Sequence, residues 1–142
     1  MAFGTSSKER VLVLYSEDPA LDKDHPDFNW DLWLKTGDLK HAPTKQGMEP
    51  NRYWVRKLRM HRFEQVLDTP GARQVREAVA WGLTAVEGHT FNGEPVVLKF
   101  KKISDAEQRL TDESLEQLYS PELFGELGAR IVELSRLHPT SG

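Results

Sequence analysis

The chain has 142 residues, 38% hydrophobic and 29% charged, with a formal net charge of −3 and no cysteine. Such a length suits one domain that buries roughly two thirds of the surface its unfolded form exposes, and no apolar run approaches the roughly 18 residues a bilayer span needs. Disulfides, thiolate metal sites and cysteine nucleophiles are excluded, and the opening MAFGTSSKER lacks the apolar centre of a signal peptide, so synthesis is expected to be intracellular.

Glu9 to Ser16, ERVLVLYS, reads as a short strand because Val11 to Tyr15 form a continuous run of β-formers. Continuous apolarity implies that both faces are covered. Residues 17–50 then read as an extended acidic arm or loop, with prolines at 19, 26, 43 and 50 that cannot donate to a ladder. Inside it Phe28, Trp30, Leu32, Trp33 and Leu34 form an isolated apolar knot. Either the knot folds back onto the domain's own core, or it anchors a neighbouring chain, since a buried tryptophan is a frequent interface anchor. A loop this long is uncommon in a compact domain, which keeps the second alternative open.

Arg52 to Met60, RYWVRKLRM, reads as a strand with Trp54 and Leu58 on one face and Tyr53 and Val55 on the other. A short helix over His61 to Asp68 follows, with Phe63, Val66 and Leu67 on one side. The strongest helix signal spans Asp68 to Gly88, with Asp68 or Thr69 as cap, Pro70 in the first turn and Gly88 as the stop. Val75, Val79, Gly82, Leu83 and Val86 recur at helical spacing and must bury against something; Gly82 there suggests close helix packing. Phe91 to Glu94 is a turn signal, and Pro95 to Lys101 reads as a strand for which the one at Arg52 is a candidate partner, strand order being left open. Ser104 to Glu107 has capping-box spacing and should open a helical turn. Thr111 caps a helix from Asp112 to Tyr119. Ser120, Pro121 and Glu122 open a C-terminal helix whose stripe is Phe124, Leu127, Ile131 and Leu134, widened by Leu123 and Leu137. His138 to Gly142 reads as a frayed end.

The expected fold class is therefore α+β: a mainly helical small domain, two long amphipathic helices packed on a sheet of two or three strands, plus a long N-terminal arm. Residues 1–142 form a single domain in this reading.

Charge is segregated along the chain. Residues 16–50 carry eight acids and four bases, residues 51–62 five bases and no acid, and residues 111–142 six acids and two bases. Arg52, Arg56, Lys57, Arg59 and Arg62 surround Tyr53 and Trp54, a mixture that can grip phosphates and stack bases. Alternation in a strand would split those charges between two faces, so a solvated or acid-paired role is expected first, an acidic protein partner second, and nucleic acid last.

No catalytic constellation can be assembled. His25, His41, His61, His89 and His138 are scattered without HExxH spacing, and neither GxGxxG nor GxxxxGK occurs. Asp22 to Asp27 only superficially resembles a calcium loop: Pro26 occupies the fifth position and Asp27 the turn glycine's place. The expectation is a protein that is not an enzyme and has no cofactor or metal.

The order of features from Arg52 onward, RYWVRKLRMHRFEQVLDTPGARQVREAVAWGLTAVEG and then TDESLEQLYSPELFGELGARIVELSRL, resembles small morphogenesis proteins of tailed bacteriophages, of the tail assembly chaperone type. Residues 17–50 have no counterpart in that pattern. The resemblance implies a factor in the host cytoplasm that shields the tape-measure protein by protein–protein contacts until tube subunits polymerise around it. Its partners would be phage tail or head proteins or further copies of itself, with no membrane. The competing reading is a structural virion subunit, a decoration, neck or tail-completion protein, anchored by its N-terminal arm. Phe28, Trp30, Trp33, Leu34, Arg56, Arg59, Leu134 and Leu137 are the candidate partner-binding residues.

Overall fold

The computed structural model describes residues 10–137; the expected strand residue Glu9 and the end from His138 to Gly142 lie outside them. Among the described residues the fold is α+β, with five α-helices and three small antiparallel sheets. The order is β1 (Val11–Val13), α1 (Trp30–Thr36), a 3₁₀ turn (Leu39–His41), β2 (Arg52–Val55), α2 (Met60–Asp68), α3 (Ala72–Gly82) and β3 (Leu83–Glu87). There follow β4 (Thr90–Phe91), β5 (Glu94–Pro95), β6 (Phe100–Lys102), β7 (Gln108–Leu110), α4 (Asp112–Leu118) and α5 (Pro121–Leu137).

The largest sheet has the order β1-β2-β3, with Val13 opposite Tyr53 and Tyr53 opposite Val86. Successive strand residues face opposite sides. Val11 and Val13 accordingly join Tyr53, Val55 and Leu83 in the main core, while Leu12 and Leu14 meet a second cluster built on Leu21, Trp33 and Ala42. That is the two-sided burial expected of the VLVLY run. The main core is closed by α3 and α5, which pack on each other, with Phe124, Leu127 and Ile131 at 0–1% exposure.

Five expectations need correction. The helix expected over Asp68 to Gly88 covers only Ala72–Gly82. Thr69 does not open it, because its hydroxyl donates to Gln65 O at 2.9 Å and its N–H to Val66 O, closing α2. At the other end Leu83–Glu87 pairs with β2, and Arg56 N–H donates to Gly82 O at 2.9 Å. Long-range ladder bonds prevail over a helical period that Leu83 and Val86 satisfy equally well as strand residues.

The strand expected over Arg52 to Met60 stops at Val55. Beyond it the chain turns through Arg56 to Arg59, and Met60 already begins α2. In that helix Phe63 and Val66 are buried, but Leu67 is exposed. The strand expected over Pro95 to Lys101 pairs not with β2 but locally: Glu94–Pro95 with Thr90–Phe91, and Phe100–Lys102 with Gln108–Leu110. Both edges of β2 are already taken by β1 and β3. The turn between β4 and β5 is the expected one, with Asn92 at φ 53° and Gly93 at φ 82°, the left-handed pair that a tight hairpin requires.

No helical turn forms over Ser104 to Glu107. Ser104 N–H donates to Glu107 O, closing the β6–β7 hairpin, and the Glu107 carboxylate is taken by Arg62 rather than by the serine's N–H. Finally, residues 17–50 are not extended throughout: α1, the 3₁₀ turn and a bridge from Leu21 to Thr44 fold this stretch on itself. Asp18 accepts from Asn51 N–H at 2.8 Å, and Ser16 donates its N–H to Glu126 at 2.9 Å, so its ends are fastened to the sheet and to α5.

The caps near the C-terminus fall where expected. Thr111 Oγ1 accepts from Ser114 N–H and Ser120 Oγ from Leu123 N–H, each at 3.2 Å.

Candidate functional site

Two concavities hold most of the sequence-nominated residues. The first, about 380 Å³, lies between β1, α1 and α5 and is lined by Val11 to Leu14, Trp30, Trp33, Leu34, Ala129 and Arg130, among others. All three residues of β1, and Leu14 after it, line the groove although successive side chains alternate between faces. The groove therefore meets the edge of the strand, and among the described residues β1 pairs with β2 alone.

Asn29 starts α1 by accepting from Leu32 N–H at 3.2 Å, and the helix places its tryptophans on the groove side. Trp33 is 2% exposed and belongs to the chain's own second cluster, so of the two readings of the apolar knot its side chain follows the intramolecular one. Phe28 and Trp30 are half-buried and stacked at 6.2 Å between ring centroids, and Leu34 is 39% exposed. The charges on the α5 wall are satisfied within the molecule: Glu126 holds Ser16, and Arg130 pairs with Glu133 and reaches Leu34 O at 3.3 Å. What remains on offer is apolar surface and a strand edge.

The second concavity, about 450 Å³, is a basic cleft. One wall is the turn from Arg56 to Arg59, another the β6–β7 hairpin with Lys102, Asp105 and Glu107, and Trp81 at the end of α3 lies between. The expectation that alternation would split the basic stretch is thus corrected: β2 ends before it, and the irregular turn puts Arg56, Lys57 and Arg59 on one wall.

Arg62 is the acid-paired member of the set. Its guanidinium gives two hydrogen bonds to Glu107, at 3.1 and 3.0 Å, and stacks over Trp81 at 3.7 Å from the ring centroid. Those hydrogen bonds hold the Glu107 carboxyl below the usual range despite its burial. Arg56 and Arg59 are different. Neither guanidinium has a hydrogen-bond or ion-pair partner among the described residues, and both are half-buried. Burial pulls Arg56 down from its ordinary value, Glu107 opposes this, and the nearby Arg59 charge adds to the depression. Arg59 is also the N-cap of α2, with no side-chain capping bond.

Leu134 is half-buried against the main core, and Leu137 ends α5 with a side chain outside the described set. Among the described residues, no group of three or more His, Asp or Glu side chains is gathered as a metal site would need, and no helix is long and apolar enough to cross a membrane. Sequence reasoning missed Trp81, Lys102 and Glu107 as cleft residues. The missing signal was the hairpin that carries Lys102 and Glu107 back to Arg62. Compared with protein-family models, curated proteins and solved structures, the chain matches none.

Proposed function

We propose that this protein acts by binding other proteins, as a non-catalytic assembly factor of the phage tail assembly chaperone type. In this reading an extended apolar segment of a tail protein, the tape-measure protein first, lies along β1 as an added strand. The observation that carries the proposal is the groove, in which a strand edge unpaired among the described residues runs between apolar walls supplied by Trp30, Leu34 and Ala129. Strand addition draws affinity from main-chain hydrogen bonds, for which the β1 edge is placed, and further contact from side chains, for which the apolar walls are placed. A transient shield needs just such a site, because backbone pairing accepts many apolar sequences and releases them when a better partner polymerises.

The test is co-expression with the tape-measure protein. Wild type should keep it soluble and co-purify with it, whereas Leu34→Glu together with Ala129→Glu, both on the groove surface, should lose it while retaining the thermal midpoint. Full capture by the double variant would sink the groove as the docking place. Mass spectrometry of purified particles separates the chaperone, absent from mature virions, from a structural subunit present at a symmetric copy number.

A further inference from the structure

We propose that the cleft walled by Arg56, Arg59, Lys102 and Trp81 is a binding site for a compact phosphate or diphosphate group. Arg56, Arg59 and Lys102 line it together with the carboxylates of Asp105 and Glu107. One of those carboxylates, Glu107, is already neutralised by the two bonds from Arg62. The other, Asp105, is fully solvent-exposed and pairs with Lys102 at 3.2 Å at the rim. Arg56 and Arg59 are left without a hydrogen bond or ion pair among the described residues, and Glu107 acts on them only at longer range.

Two half-buried guanidiniums with no hydrogen-bonded carboxylate among the described residues are costly to keep together. Each repels the other in a medium less polar than water, and each leaves a fork of N–H donors unfilled. A phosphate group answers both, since its oxygens accept bidentate bonds from arginine and its charge cancels the repulsion. Trp81 adds a third unmatched donor. It is 8% exposed, lines the cleft, and its indole N–H has no acceptor among the described residues.

The size of the site and its surroundings narrow the ligand. About 450 Å³ lies at the small end of ligand pockets, enough for one or two phosphates with a modest apolar appendage against Leu58 and Ala106. A long polyanion fits less well. The chain carries a net charge of −3, whereas a protein that holds nucleic acid is more often basic overall.

The experiment is a ¹H–¹⁵N correlation titration of the full chain with inorganic phosphate, pyrophosphate and ADP in turn, with an octaglutamate peptide and a single-stranded oligonucleotide as comparators. Saturable shifts at the Trp81 indole and at the amides of residues 56–60 are expected, and Arg56→Gln with Arg59→Gln should weaken binding about tenfold or more. Lys23→Gln, which removes the same kind of charge far from the cleft, should leave binding unchanged. Half-saturation by phosphate alone assigns a free anion; a much lower half-saturation by ADP, with larger Trp81 shifts, assigns a phosphate borne by a larger ligand. The proposal is overturned if shifts follow the lysines over the whole surface, or if only the peptide or the oligonucleotide binds. Should the double arginine variant fail to fold, the wild-type shift map decides by itself between the cleft and the general surface.

Discussion

The Tyr53 hydroxyl lies 2.7 Å from His89 Nδ1, a side-chain pair that ties the central strand to the segment following β3. Burial lowers the imidazole's pKa below its ordinary value, with the Gln117 backbone opposing, and pushes the Tyr53 phenol up to about 12. The sign of the consequence follows. A histidine that is harder to protonate when folded costs nothing well above its unfolded pKa, and stability falls as pH drops through that value towards the depressed one. Glu107 acts at lower pH: its depressed carboxyl lends stability above its unfolded pKa, lost as pH falls through the folded value. Tyr53 destabilises the fold only on the alkaline side, where the unfolded phenol ionises first. Urea midpoints measured from about pH 7 to 5 should therefore decline in wild type, and the slope should shrink in His89→Asn. An identical slope in the variant would remove His89 as the cause. Tyr53→Phe, which leaves the imidazole nitrogen without its partner, should cost about 1 kcal/mol.

At the scale of elements, α3 and α5 cross where side chains are smallest. A Cβ added to Gly82 would sit 2.7 Å from Ile131 Cδ1, and one added to Gly128 would sit 2.9 Å from Val75 Cγ1, so each helix offers a glycine to a branched residue of the other. Gly125, one turn earlier on α5, has nothing within 4 Å of such a Cβ. Alanine at these positions should therefore act with opposite sign. Gly82→Ala is expected to destabilise by about 1–3 kcal/mol through overpacking, and Gly125→Ala to stabilise by up to about 1 kcal/mol through helix propensity. Denaturant melts of the two variants check this directly; a neutral Gly82→Ala would mean that the crossing is looser than the contact with Ile131 indicates.

For the whole molecule, the sheet divides two apolar clusters of unequal size. The larger holds the helices α3 and α5; the smaller, built on Leu14, Leu21, Trp33 and Ala42, holds residues 17–50. Trp33 is the bulk of the smaller one, and its removal should cost about 3–5 kcal/mol. Loss should be local before it is global. Hydrogen exchange of Trp33→Ala is expected to show early loss of protection across residues 17–50 while α3 and α5 keep theirs; uniform loss through the chain would instead mean that the two clusters melt as one. The same variant bears on docking, because the wall of the groove is also the lid of the smaller cluster. A partner that adds a strand to β1 would therefore be sensitive to the order of α1.

The sequence alone determined the features whose causes are local. Thr111 and Ser120 mark their helices because a hydroxyl meets an N–H three residues on, Asn92 and Gly93 mark a hairpin because both accept positive φ, and VLVLY announces burial on two faces. It also marked Trp30, Trp33 and Leu34 as belonging together, and Arg56 with Arg59. Only the tertiary structure decided where competing local signals end. Leu83–Glu87 became strand because β2 offered a ladder, and Ser104–Glu107 became a hairpin turn whose carboxylate goes to Arg62, a partner 45 positions away. Both clefts arise from the same cause: their walls come from segments far apart in sequence, and no periodicity within a segment records which distant surface will close against it.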